Sequence, residues 1–251
     1  MNSYINKCRV RKLLATICLL ASFSSAPMPA PAAEAALAGN PAALSWDFGE
    51  VYDLVEDSAV RIESMGRVGS GVLRRGADVR HCEVITVHNV TVGRQQIGVT
   101  VRSGADYVGS LERADEQRQV DIYTLKDMPS ESASCPSIKI SQDELAPHLL
   151  VLGLSHTAFG LHDPRPLFGG VARIDSAPRS TGGDGSRSVA MLWMITTADD
   201  HGAGVYNSRG ELVGLVGWTI PGSVGACLME VGKNVQSAID EAHKSGATKS
   251  H

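Results

Sequence analysis

Three short stretches of the chain carry residue types that do chemistry. Asp199-Asp200-His201 sets two carboxylates beside an imidazole, His88 supplies a second imidazole, and Asp121 is a carboxylate in an apolar, β-prone run. An imidazole with a carboxylate works as a general base and its orienter. The same groups are ligands for zinc or another divalent ion. A metal site at Asp199, Asp200, His201 and His88 has no support from spacing, because the chain contains no H-E-x-x-H and no C-x-x-C. His81-Cys82 with His88 is equally thin. Gly66-Arg67-Val68-Gly69-Ser70-Gly71 is not a dinucleotide fingerprint, since its spacing is reversed and no crossover helix follows. Gly182-Gly183-Asp184-Gly185-Ser186 reads as a flexible loop. Asn89-Val90-Thr91 is a glycosylation sequon, relevant only in a eukaryotic secretory route.

These residues must be held by short strands. Ser45 can cap a helix over Trp46 to Asp57, where Phe48, Val51, Tyr52 and Val55 recur at helical spacing. Strand patterns follow at Ser58 to Glu63, Gly69 to Arg74, Glu83 to Val87 and Val120 to Leu125. Ile97 to Arg102 and Tyr107 to Leu111 read as a hairpin. The second half repeats the style at Leu149 to Leu154, Gly169 to Ile174, Val189 to Thr196, Val205 to Asn207, Glu211 to Val216 and Gly225 to Glu230, with a loop over Ser176 to Ser188. Strands at this spacing, parted by Gly-rich turns, predict barrels or a sandwich. A helix over Gly232 to Lys244 sets Val235, Ala238, Ile239 and Ala242 on one face, and Gly246 can end it.

The 251 residues suffice for one large domain or two small barrels. A formal net charge of −4 gives no electrostatic case for nucleic-acid binding. The N-terminus reads as an address. Lys7, Arg9, Arg11 and Lys12 precede the apolar run Leu13 to Phe23, which is too short to span a bilayer comfortably. Ala30-Pro31-Ala32 is an A-x-A cleavage site. The expected organisation is a signal peptide over 1–32, an Ala/Pro-rich linker over 33–45, a folded domain over 46–246 and a tail over 247–251. A periplasmic or secreted mature chain follows, with no stable membrane span after cleavage. Removal of the signal leaves Cys82, Cys135 and Cys227. In an oxidising compartment one disulfide and one free thiol is the simplest arithmetic, with Cys82 and Cys135 the first choice. Three buried reduced thiols is the alternative.

Several landmarks in order resemble the trypsin-like serine proteases, in the style of the bacterial high-temperature-requirement type. Tyr52 to Ser64 resembles that family's opening helix and first strand. Val68-Gly69-Ser70-Gly71-Val72 resembles its G-S-G-V strand. Glu83 to Val90 resembles the element carrying the catalytic histidine, which falls on His88 with one residue fewer after Thr86 than the pattern. Asp121-Ile122-Tyr123-Thr124-Leu125-Lys126 resembles the D-x-A-x-L-K element carrying the catalytic aspartate, on Asp121. Asp199 to Val205 resembles the nucleophile loop G-[DN]-S-G-G-P-[LV], and the hairpin after it is similar through Val216. The resemblance implies two packed six-stranded antiparallel β-barrels with a short N-terminal helix and a C-terminal helix. It also implies His88 and Asp121 in the first barrel and His201 in the second.

The same resemblance sets His201 where the serine belongs and Asp199 at the oxyanion-hole glycine. Loss of the serine costs about 10⁶-fold in known triads. A carboxylate beside a developing oxyanion is unfavourable. The expectation is therefore an exported protease homologue without turnover, needing no cofactor, that holds a protein or peptide ligand in the cleft between the barrels. The alternatives are an active endopeptidase whose nucleophile lies elsewhere, or a metal-assisted hydrolase at His88 and His201. A peptide-binding regulatory domain after the barrels is not expected.

Overall fold

In the computed structural model, the described residues are 47–76, 81–125, 128, 135–156, 163–178, 186–220 and 225–247. The predicted signal peptide and linker, with the cap at Ser45, lie outside them.

Helix α1 (Phe48–Val55) is capped by Asp47, whose carboxylate accepts from the Gly49 N–H at 2.9 Å and the Glu50 N–H at 3.3 Å. It buries Val51 and Val55 and runs through a 3₁₀ turn, Glu56–Ser58, into the first strand. Strands β1 (Ala59–Ser64), β2 (Arg67–Arg75), β3 (Cys82–Val87), β4 (Gln96–Thr100), β5 (Asp106–Asp115) and β6 (Val120–Leu125) close a barrel in the order β1-β2-β3-β6-β5-β4. Strands β7 (Leu150–Ser155), β8 (Arg165–Pro178), β9 (Ser186–Met194), β10 (Gly204–Tyr206), β11 (Leu212–Thr219) and β12 (Ala226–Val231) close a second barrel in the order β10-β11-β12-β9-β8-β7. Every pairing within the two barrels is antiparallel. The expected double barrel is thus present. Strands β8 and β9 run into the stretch read as a loop, pairing as far as Pro178 with Ser186. Cross-strand bonding overrides the Gly/Ser/Asp composition there.

The two barrels share buried side chains. One core joins the interior of the first barrel, including Ile62, Ile85 and Ile122, to Leu152, Tyr206 and Leu215 of the second. Tyr206 reaches the seam and its hydroxyl lies 2.6 Å from Ser58 Oγ, so its one polar atom is satisfied where it is fully buried. Burial pushes the Tyr206 phenol well above its ordinary pKa.

Helix α3 (Gly232–Ala247) follows the second barrel in sequence and packs on both, against β5 and β6 of the first and β11 and β12 of the second. It continues past Gly246, the residue expected to end it. Val235, Ala238, Ile239 and Ala242 are all buried in the core shared by the two barrels, on the one face their spacing predicted. Polar contacts bind the same face. Arg118 donates to Glu241 at 2.7 Å, Arg113 bonds the other Glu241 oxygen, and His243 Nε2 lies 2.8 Å from Glu83 Oε1.

The connector between the barrels is also tied to both. Cys82 of β3 and Cys135 form a disulfide with Cα atoms 5.6 Å apart, the pairing expected first. The Arg75 N–H donates to the Pro136 carbonyl, and Ile140 then bridges to Leu212 of β11. Cys227 is a buried thiol whose pKa burial raises to about 11. The disulfide closes a loop of 53 residues. Replacing Cys82 and Cys135 with alanine is expected to lower the urea unfolding free energy by about 2–4 kcal/mol. Equilibrium denaturation of the pair variant beside the parent measures this directly.

Candidate active site

His88 opens α2 (His88–Thr91), a single helical turn leaving β3. Asp121 stands on β6, whose register sets it opposite Thr86 of β3, two residues before His88. The short link after Thr86 therefore still delivers the imidazole. His88 Nδ1 lies 2.9 Å from Asp121 Oδ1. Asp121 is fully buried, so its charge needs partners. Thr91 donates its hydroxyl to Oδ2, and the Gly93 N–H donates to the same oxygen at 3.0 Å. Reaching Asp121 requires the chain to turn sharply after α2, and Val92 adopts φ 52 to do so. A β-branched residue in the left-handed region is strained. That strain sits beside the His–Asp contact, where such outliers concentrate.

The facing wall comes from the second barrel. Thr197 caps a 3₁₀ turn, Ala198–Asp200, that ends at His201. The Thr197 N–H and hydroxyl donate to Asp200 Oδ2 at 2.6 Å and 2.9 Å, and Arg165 Nη2 lies 2.6 Å from both carboxylate oxygens. Burial alone would push the fully buried Asp200 carboxyl up. The Arg165 guanidinium, Ser155 and Thr197 outweigh it and hold the group below its ordinary value.

The loop lies flat against β2. The Ser70 N–H donates to the His201 carbonyl at 2.8 Å. At Gly202, φ is +87° and a Cβ would stand 2.0 Å from the Ser70 carbonyl oxygen and 2.3 Å from Thr86 Oγ1. Only glycine fits there. The loop's amides are turned inward: Asp200 N–H donates to the Thr197 carbonyl, His201 N–H to Ala198, Gly202 N–H to Val216 and Ala203 N–H to Asp200.

His201 spans the gap between the barrels. Its Nδ1 lies 3.3 Å from the amide nitrogen of Asn89, the neighbour of His88. Its Nε2 lies 3.2 Å from Thr219 Oγ1 and accepts from the Thr219 N–H at 3.3 Å, at the end of β11. Asn89 also donates to the Gly217 carbonyl at 3.0 Å, so one side chain of the first barrel bonds two residues of the second. Burial lowers the His201 pKa and the carboxylates of Asp200 and Asp199 push it back; burial prevails. Beside this contact a cavity of about 420 Å³ opens between Gly66, Arg67, Asn89, Asp199 and His201. Among the described residues no three His, Cys, Asp or Glu side chains gather as a metal site.

No protein-family description and no curated protein sequence matches the chain. Solved structures do. The inactive form of the M. tuberculosis Rv3671c protein, as a serine-to-alanine mutant, superposes with a TM-score of 0.64 at 16% identity over 82% of this chain and 94% of that one. The active form of the Rv3671c protease gives 0.63 at 18% identity, over 89% and 93%. A serine endoprotease from Yersinia pestis gives 0.62 at 15% identity, over 79% and 67%. The fold is that of the trypsin-like serine proteases.

In this trypsin-like double barrel, His88 and Asp121 come from the first barrel and His201 from the loop before β10 of the second, and Asn89, the neighbour of His88, contacts His201. Asn89, Thr219, Thr91 and Arg165 were not singled out by sequence reasoning. Asn89 registered only as part of a sequon, and its amide is committed inside the cleft. Its adjacency to His88 was the one available signal. Arg165 and Asp200 are 35 residues apart and nothing in the sequence links them.

Arg165→Met is expected to cost about 2 kcal/mol at pH 7, less than for a fully buried pair because the arginine is partly exposed. The depressed Asp200 pKa means this stability is present above the ordinary carboxylate range and lost as pH falls through the folded value. Parent and variant should therefore converge in acid, as denaturation curves at pH 7 and below pH 4 will show. Gly202→Ala should cost more than about 3 kcal/mol or prevent folding, from overlap with backbone at a left-handed φ.

Proposed function

We propose that this chain is an exported trypsin-like protease homologue that has lost turnover and uses the inter-barrel cleft to bind an extended protein or peptide. The observation carrying this reading is His201. On the resemblance it stands at the nucleophile position, and its ring is tied to Asn89 and Thr219 instead of being free to attack. An imidazole there cannot replace the alcohol of an acyl-enzyme. The inward turn of the loop amides supports the same conclusion, because stabilising an oxyanion needs backbone N–H groups aimed at the reacting oxygen. Asp199 at the oxyanion position adds an unfavourable charge.

The binding role rests on the cavity of about 420 Å³, which takes its walls from both barrels and offers Arg67, Asn89 and Asp199 to a ligand. Export rests on the basic, apolar and A-x-A segments of the N-terminus. The Cys82–Cys135 disulfide fits an oxidising compartment such as the periplasm or the outside of the cell. No helix among the described residues is long and apolar enough to cross a membrane. N-terminal sequencing of the mature chain should find a start between about residues 27 and 36.

One observation favours the alternative, an active endopeptidase with its nucleophile elsewhere. The His88–Asp121 contact has the geometry of a working base and orienter. A retained structural pair gives the same geometry. The experiment that separates them is labelling with a fluorophosphonate probe, together with cleavage of unfolded casein. No label and no cleavage are expected. Labelling of any serine, abolished by His88→Ala, would overturn the reading. His201→Ser alone is expected to stay silent, and His201→Ser with Asp199→Gly is the fairer gain-of-function test.

A further inference from the structure

We propose that His201 is a proton-operated latch on the cleft: its neutral ring joins the two barrels through Asn89 and Thr219, and protonation releases them and admits an extended peptide. The argument starts from donors and acceptors. Asn89 presents an N–H to His201 Nδ1, because turning its amide over would set Oδ1 against the Gly217 carbonyl oxygen. Thr219 presents its backbone N–H to Nε2. Both ring nitrogens therefore face donors. A neutral imidazole keeps one lone pair for them, and the Thr219 hydroxyl can accept from Nε2 when Nδ1 holds that lone pair. The protonated ring has no lone pair. Its two N–H groups then point at the Asn89 amide and the Thr219 N–H, and only the Thr219 hydroxyl remains as an acceptor.

Two further features weaken the closed state. Asn89 Oδ1 is buried with no hydrogen-bond partner among the described residues, so closure leaves an acceptor unsatisfied that a peptide N–H would satisfy. The Gly217 carbonyl, a second acceptor for an extended chain, is likewise held by Asn89 until release.

The charged groups around the ring set the sign. Asp199 and Asp200 on its own loop favour the imidazolium, but Asp200 is already bonded bidentately by Arg165. From the first barrel, the His88–Asp121 pair stands behind Asn89, and Arg67 lines the same cavity. Strand β11 faces the ring with Gly217 and Thr219, neither of which titrates. Burial disfavours the charged ring in the closed cleft. The open state, with an exposed ring of ordinary pKa near 6.5, binds the proton more tightly. The latch is then fully closed above that value. The closed-to-open ratio falls by up to about tenfold per pH unit below it, until the closed-state pKa is passed.

The latch itself can be tested without a ligand. Only the identity of what enters rests on the peptide-binding reading. In ¹⁵N-labelled protein, exchange protection of the Asn89 side-chain amide, the group that bonds His201 and Gly217 across the barrels, corrected for intrinsic rates, should fall from about pH 7.5 to about pH 5. The His201 ring resonances should titrate over the same range. In His201→Gln and His201→Asn, which carry no titrating ring, protection should not depend on pH. Unchanged protection in the parent overturns the latch, as does an equal loss in both variants or a ring titration outside the range of the amide change. Binding of a rhodamine-labelled, carboxymethylated lactalbumin, followed by anisotropy, gives the second readout. Binding that appears only on the acid side supports the gated cleft. Equal binding at both pH values in a protein whose latch opens overturns the gating. An opening latch with no binding at either pH leaves the latch standing and sinks the peptide reading.

Discussion

Among the described glycines the tightest constraint is at Gly202, where the 197–203 loop meets strand β2. With a would-be Cβ of Gly202 only 2.0 Å from the Ser70 carbonyl oxygen, the loop has no freedom to move inward. The bonds from Ser70 N–H to the His201 carbonyl and from Thr86 Oγ1 to the Ser70 carbonyl hold it from both sides. This seam joins the barrels where β2 and β3 of the first meet the loop feeding β10 of the second. The backbone at His201 is fixed by it, and the ring is then oriented by its contacts with Asn89 and Thr219.

Three buried carboxylates show how the same charge is handled for different ends. Asp121 is met by an imidazole, a hydroxyl and an amide N–H, an arrangement that orients His88. Asp200 is met by a guanidinium and a capping threonine, an arrangement that fixes a turn. Glu83 is met by Arg74 at 3.1 Å and by His243, an arrangement that docks α3 on the first barrel. In each case burial would neutralise an isolated carboxylate, and the fold supplies donors from a distant part of the chain instead. The surroundings of the carboxylate, more than its own identity, decide what it does.

The second barrel contributes a loop whose His201 ring contacts Asn89, and the first contributes the His88–Asp121 contact. The His88–Asp121 contact is embedded in the packing of α2, Val92 and Gly93 and can persist for structural reasons. The loop at 199–201 is held by different contacts, those of Asp200 with Arg165 and Thr197 and of Gly202 against Ser70. Fold alone assigns no chemistry to such a site.

The sequence by itself determined most of the strands, the apolar face of α3 and the pair of barrels. Those readings rest on local periodicity and on motifs whose order survives drift, as with Val235, Ala238, Ile239 and Ala242, all buried as spaced. Strand ends were less legible. Pro178 and Ser186 pair despite a loop-like composition, because ladder bonds to a partner strand outweigh single-residue preference. Tertiary structure alone decided that Arg165 neutralises Asp200, that α3 brings Glu241 to Arg118 and His243 to Glu83, and that Asn89 reaches Gly217 and His201. These contacts join residues dozens to more than a hundred positions apart through side-chain directions that no local pattern encodes. For the same reason the sequence could single out His201 but not its partners, and only the packed structure showed that its ring contacts Asn89 and Thr219.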